Sequence, residues 1–322
     1  MVFGDMTMTK SRSILFGAAL IVAGMAIIGL IDNFVRFIAV DAGLWQFHAA
    51  RSLIAVPLLL AFCRWQGLGL KVLHPGKVAV RTITQAISVF LYFAAIPMIP
   101  IAQVGAALFT APMFVLLFAV ALFRQRIGLW RIFAVLLGFF GVILILQPEQ
   151  ANFSMWSLVP LVAGAFYGLS NLLTREWCVK ESPQVLVGLF FATMGLVGLV
   201  AASIFDLAPP DAQTLARAPF LLQGWVWTGT SFWFWVSIQA VGSLVAVACL
   251  TRGYLSGETS SLAVFEYSYL AFASFWGWMI WDEALALRTV FGISLIVAAG
   301  AVIAMRSGIA AQAALLAAEN RP

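Results

Sequence analysis

The sequence predicts an all-α membrane protein of ten transmembrane helices, built as two five-helix repeats threaded in opposite senses. Three observations carry this. Of 322 residues, 63% are hydrophobic and only 10% charged, and apolar stretches long enough to cross a bilayer recur along the chain. Lysine and arginine alternate between crowded and nearly empty connections. The start of the second half repeats a polar signature of the first.

A spanning helix needs roughly 20 mostly apolar residues. Candidates lie at about 14–39, 45–63, 78–97, 101–123, 130–147, 155–174, 184–205, 225–250, 259–281 and 288–305. The repeats are then residues 14–148 and 155–306, with tails at 1–13 and 307–322. The first span follows Lys10 and Arg12, is too long for a signal-peptide core, and is expected to be retained. The connector at 206–222, rich in Pro and Asp, reads as an outer loop. The cysteines, Cys63, Cys178 and Cys249, fall singly and read as small apolar fillers. The net charge of +5 does not point to nucleic acid, because the basic residues lie at helix ends.

With the N-terminus cytoplasmic, the inner side receives Lys10, Arg12, Arg64, Lys71, Lys77, Arg81, Arg124, Arg126, Arg131, Arg175, Lys180, Arg252, Arg306 and Arg321. The outer side receives only Arg217 and Arg288. That asymmetry is the positive-inside pattern of an inner-membrane protein with both termini in the cytoplasm. Asp41, Glu149, Asp206, Asp211, Asp282 and Glu283 fall outside, which is consistent. Asn171-Leu-Leu-Thr-Arg175 in the sixth span repeats the spacing of Asp32-Asn-Phe-Val-Arg36 in the first, and Gly168 repeats Gly29. Five spans per repeat is odd, so the second repeat enters the membrane upside down. Inverted repeats are a feature of secondary transporters, whose sites lie near the midplane between the halves.

The chain resembles the drug/metabolite transporter superfamily, with two EamA-type repeats. The resemblance is densest in Ile96-Pro-Met-Ile-Pro-Ile-Ala-Gln103 through Phe109-Thr-Ala-Pro112 to Arg126, and in Thr251-Arg-Gly-Tyr254 through Phe265-Glu-Tyr267 to Trp281-Asp-Glu283. An acidic-basic pair that marks the family at the end of the fourth span stands here as Gln125-Arg126, without its acid; the second half keeps the acid as Glu283. The resemblance implies cytoplasmic termini and transport of small organic molecules such as amino acids, nucleosides, vitamins including riboflavin, S-adenosylmethionine or drugs. It implies no cofactor.

Chemistry must come from polar groups inside the spans, since charge there is costly and marks pathways. Asp32 and Arg36 are one turn apart and share a face, either as a structural pair or in the cavity. His48 and Arg51 share a face near the outer start of the second span. The Arg51 guanidinium suits a carboxylate or phosphate, and equally helix carbonyls or Asp32. Glu266 has no basic residue within a turn on its own helix. A buried carboxyl there can take up and release a proton, as a proton-coupled carrier requires. Gln85, Tyr92, Asn171 and Gln239 are further candidates for substrate contact. Tyr267 and Tyr269 point to different faces, so at most one joins Glu266. Arg81 reads first as an anchor at the inner helix end. Gly164-Ala-Phe-Tyr-Gly168 reads as a helix-packing pattern, and Gly253-Tyr-Leu-Ser-Gly257 as a helix-end turn. The twelve tryptophans read mostly as interfacial anchors.

No P-loop, His-Glu-x-x-His or Gly-x-Ser-x-Gly motif is present, so an enzyme or self-contained ATP-driven pump is not expected. The expectation is a secondary transporter of a small organic metabolite, proton-coupled, with export favoured. The alternatives are an importer of a cofactor or vitamin such as riboflavin or S-adenosylmethionine, a channel, or a membrane sensor. The sequence says nothing of oligomeric state.

Overall fold

A computed structural model describes residues 10–95, 108–146, 158–281 and 287–319. The Ile96–Gln103 stretch, Glu149, Asp282, Glu283 and Arg321 lie outside the described residues, as do the side chains of Lys10, Arg12, Arg36 and Trp281. The described residues are helical and contain no strand. With no water to satisfy backbone amides in a bilayer core, the helix is the element an apolar chain of this composition can use.

The first span is α1 (Lys10–Ile31), a single 3-10 turn (Asp32–Phe34) and α2 (Val35–Asp41). After Gly43 come α3 (Leu44–Trp65), α4 (Pro75–Ala95), α5 (Ala111–Ala121) and α6 (Leu129–Leu146). The second half begins with α7 (Leu158–Trp177) and α8 (Pro183–Leu207). The connector at 206–222 carries two short helices, α9 (Ala212–Arg217) and α10 (Pro219–Leu222). Then follow α11 (Thr230–Ser256), α12 (Thr259–Leu262), a 3-10 segment (Ala263–Tyr267), α13 (Ser268–Trp281) and α14 (Leu287–Glu319). Prolines at 75, 183 and 219 open helices, where a missing N–H costs nothing. The Asp211 carboxylate accepts from the Gln213 and Thr214 amides and so caps α9.

Among the described residues, five segments are long and apolar enough to span a bilayer: Ile14–Asp41, Leu44–Trp65, Pro75–Ala95, Pro183–Leu207 and Thr230–Ser256. Shorter apolar helices accompany them. Leu60, Leu117, Leu136, Leu196 and Val241 stand exposed on the outer surface. Lipid makes that exposure inexpensive, and the chain is a multi-pass membrane protein.

Packing is selective. Helix α1 lies against α11 and α13, α7 lies against α4 and α5, α3 against α8, and α6 against α14. Glycines permit the closest of these approaches. A Cβ on Gly29 would meet the Ala273 amide nitrogen of α13 at 3.0 Å, and one on Gly168 the Ala111 carbonyl oxygen of α5 at 2.8 Å. Gly253 is a packing position as well, 3.0 Å from the Gly17 carbonyl by the same measure, whereas Gly257 ends α11 in extended backbone. The second small-residue pattern is thus half packing face and half helix end.

Both ends are tied across the halves. At one end, Gln46 exchanges two hydrogen bonds with the Val226 backbone, each 2.9 Å, and Trp45 Nε1 donates to Leu221 O. At the opposite end Arg131 donates to Glu258 and to Ser260 Oγ across the halves, while Arg175 donates to Leu255 O within the second half. The Glu181 carboxylate, in the loop before α8, accepts from the Leu73 and His74 amides at 3.0 and 2.7 Å and pairs with His74 Nδ1. Burial pushes this carboxyl up, but the two amides and His74 outweigh it and hold it below the usual carboxylate range. A lowered folded value means the stabilisation is complete above the ordinary carboxylate range and is lost as pH falls through the lowered value. Glu181→Gln is therefore expected to cost about 1–2 kcal/mol near neutral pH. Thermal unfolding should find that gap closing in acid.

Candidate functional site

Helices α1, α4, α7, α11 and α13 surround a cavity of about 910 Å³. Its walls are largely apolar, with Ile28, Val89, Phe93, Phe109 and Phe190 among them. Polar side chains gather in two groups.

The first group is organised by the break in the first span. Asp32 begins the 3-10 turn, and Tyr269 on α13 donates its hydroxyl to Asp32 Oδ2 at 3.0 Å. Gln239 on α11 donates to Ile31 O at 2.9 Å, one residue before the break, which satisfies a carbonyl beside the helix interruption. Asn33 Nδ2 donates back to Gly29 O. Tyr92 of α4 lines the same region, and Arg51 enters from α3. Arg51 is 7% exposed, and its Nη2 donates to His48 Nδ1 at 3.0 Å. A guanidinium has only donors, so His48 Nδ1 must accept, which assigns the neutral tautomer with the proton on Nε2. Rings of Phe47 and Phe191 lie 5.1 and 5.5 Å from the guanidinium carbon.

The second group is organised by the second break. Glu266 sits in the 3-10 segment between α12 and α13 and is 2% exposed. Its Oε1 accepts from Tyr167 OH at 3.0 Å and from Asn171 Nδ2 at 3.1 Å, both on α7. Tyr254 lines the same cavity, and its buried hydroxyl has no hydrogen-bond partner among the described residues. Arg81 lines the same cavity from α4. Its Nε donates to Thr174 Oγ1 at 2.8 Å and its Nη1 makes a long contact of 3.4 Å to Leu186 O.

Of the residues singled out in the sequence, Asp32, Arg51, Gln85, Tyr92, Asn171, Gln239 and Glu266 line one cavity. His48 stands behind Arg51, fully buried and edge-on to Phe90 and Phe93. Tyr267 packs between α6 and α14, with its hydroxyl 3.4 Å from Val135 O, while Tyr269 faces the cavity. Arg81 differs from its expected role as an inner-end anchor. It is 1% exposed and points inward, because Thr174 on α7 offers it a partner there. Tyr167 and Tyr254 were missed as site residues. Each lies inside a glycine-spaced pattern whose packing role drew attention from the residue between. No tryptophan lines the cavity among the described residues; Trp235 instead stacks on Phe37 at 4.6 Å.

Comparison with known proteins agrees with this architecture. Residues 15–147 match the EamA-like transporter family. An uncharacterized transporter of Helicobacter pylori is 24% identical over 91% of this chain and 96% of its own length. A riboflavin transporter of Rhizobium johnstonii is 25% identical over 93% and 94%, and a pseudopaline exporter of Pseudomonas aeruginosa is 25% identical over 77% and 82%. A solved crystal structure superposes with a TM-score of 0.72 at 19% identity, covering 91% of this chain and 98% of the other, which speaks to the fold alone. Residues 15–147 thus carry an EamA-like match, and along most of its length the chain is similar to proteins named as transporters of small molecules.

Proposed function

We propose that this chain is a secondary carrier of the bacterial inner membrane that moves a small organic metabolite by alternating access, with Glu266 as the proton-coupling site. One observation carries the reading. A single cavity between helices of both halves holds two carboxyl groups and two guanidinium groups, in a chain of overwhelmingly apolar surface. Groups so costly to bury persist where a pathway uses them.

The inverted-repeat reading, with residues 14–148 and 155–306 as the two units and both termini cytoplasmic, draws support from the helix pairings. Counting α1 and α2 as the first span and α7 as the sixth, exchanging the halves maps the α1–α11 contact onto α7–α4, and α1–α13 onto α7–α5. The contacts α3–α8 and α6–α14 map onto themselves. Gly29 and Gly168 mediate equivalent approaches under the same exchange.

Export is the direction we favour, in keeping with the relative named as an exporter. Uptake of a flavin-like cofactor is the second reading, favoured by the relatives named riboflavin transporters and by the tyrosine and phenylalanine walls. The test is counterflow in proteoliposomes. Vesicles preloaded with unlabelled amino acids, nucleosides, flavins or S-adenosylmethionine are diluted into the labelled compound. A carrier gives saturable, transient overshoot for its cargo. A channel gives equilibration without overshoot, and a sensor gives no flux.

A further inference from the structure

Among the described residues, no acid stands at bonding distance to neutralise the two buried guanidinium groups. Among the described residues, the ion pairs join His74 with Glu181 and Arg131 with Glu258, and neither Arg51 nor Arg81 has a carboxylate within 4 Å. Arg51 is bonded to a neutral imidazole, rests on two aromatic faces and keeps its Nε–H without a partner. Asp32 lines the same cavity, but its Oδ2 accepts from Tyr269. Arg81 is held by a threonine hydroxyl and a distant carbonyl, while the carboxyl of Glu266 is occupied by Tyr167 and Asn171.

Burying an ion costs several kcal/mol unless a counter-charge with good geometry offsets it. Cation–π contact with two phenylalanines offsets only part of that cost at Arg51, and Arg81 has no such contact among the described residues. Both guanidiniums line one cavity whose two carboxyl groups are bonded elsewhere, Asp32 by Tyr269 and Glu266 by Tyr167 and Asn171, so a molecule in that cavity is what can bring an acidic group to bonding distance. A guanidinium matches a carboxylate or phosphate group with paired N–H donors, which an ammonium does not.

We infer that the cargo is an organic acid, an apolar-bodied molecule whose carboxylate or phosphate is received by Arg51 at the outer part of the cavity and by Arg81 at the inner part. This rests on the carrier reading above. Phe93, Phe109 and Phe190 give the apolar body its surroundings. Having one guanidinium in each polar group gives the acid a partner on either side of the midplane.

The test uses full-length protein in liposomes loaded with an aqueous bacterial cell extract, with mass spectrometry to identify what leaves the vesicles faster than from protein-free controls. The expected result is that every compound moved carries a carboxylate or phosphate. Arg51→Gln and Arg81→Gln are expected to cut initial rates roughly tenfold or more, with Arg51→Lys and Arg81→Lys recovering part of the loss. Compounds that move but bear no acidic group overturn this inference and leave the carrier reading intact. So do glutamine variants that elute and melt like the wild type and transport at its rate. If nothing moves, the carrier reading falls and takes this inference with it. Should a glutamine variant fail to fold, the chemical identity of the compounds moved by wild-type protein still decides the matter.

Discussion

Glu266→Gln is expected to abolish proton-driven accumulation of cargo while leaving counterflow near the wild-type rate. Glutamine has nearly the same shape, and its carbonyl oxygen can accept the bonds that Tyr167 and Asn171 now give to Oε1. What it cannot do is bind and release a proton. Structure and binding should therefore survive while coupling does not, which separates this variant from one that merely unfolds. The measurement is initial transport into proteoliposomes with and without an imposed pH gradient. Wild-type protein should respond to the gradient by roughly tenfold or more, an amount corresponding to about 1.4 kcal/mol or more of driving force. The variant should give the same rate in both conditions. A variant that still follows the gradient would remove Glu266 from the coupling role and turn attention to Asp32, the other carboxyl group in the cavity.

The second large effect is expected from Gly168→Val. A Cβ at this position lies 2.8 Å from the Ala111 carbonyl oxygen, 3.3 Å from Phe114 Cβ and 3.3 Å from the Val115 amide nitrogen. Two of those three atoms are backbone and cannot rotate away, so α7 must move off α5. Overpacking of this kind costs about 1–3 kcal/mol, and a melting temperature lowered by several degrees should report it. The functional loss should exceed the stability loss. Tyr167 precedes Gly168 directly and Asn171 follows one turn later, so a displaced α7 carries both donors away from Glu266. Gly188→Val provides the contrast. Its nearest neighbour is Leu59 Cδ2 at 3.1 Å, the far end of a flexible side chain, and that substitution should leave both melting and transport close to wild type. Equal damage from the two glycine variants would mean that α7 placement has no special bearing on the site.

Much of the fold was legible because a bilayer imposes simple rules. Helix length, apolarity and lysine-arginine placement must agree, and Leu44–Trp65, Pro183–Leu207 and Thr230–Ser256 lie within a few residues of the spans expected at 45–63, 184–205 and 225–250. Buried polar residues are rare in such a chain, so simply enumerating them reached Asp32, Arg51, Asn171, Gln239 and Glu266 before any coordinates. What the sequence hid was partnership. Arg36, one turn from Asp32, has its side chain outside the described residues, and the hydroxyl donor that Asp32 does have is Tyr269, 237 positions away. Arg81 looked like a snorkelling anchor because it is near a helix end, and only the approach of Thr174 from α7 explains why it turns inward. Local spacing encodes which side chains share a helix face. It does not encode which second helix that face will meet.

Both cavity carboxyl groups occupy places where the regular helix has already given way: Asp32 opens one 3-10 turn and Glu266 lies within the other. Such a stretch has surrendered its α-type ladder, so reorienting the segments beyond it breaks few additional bonds. The spots where charge can change and the spots where each rod can pivot are thus the same residues. On the carrier reading proposed above, loading a proton or a cargo there would act at the elbow of the first and ninth spans, with no relay needed to carry the signal to a distant joint.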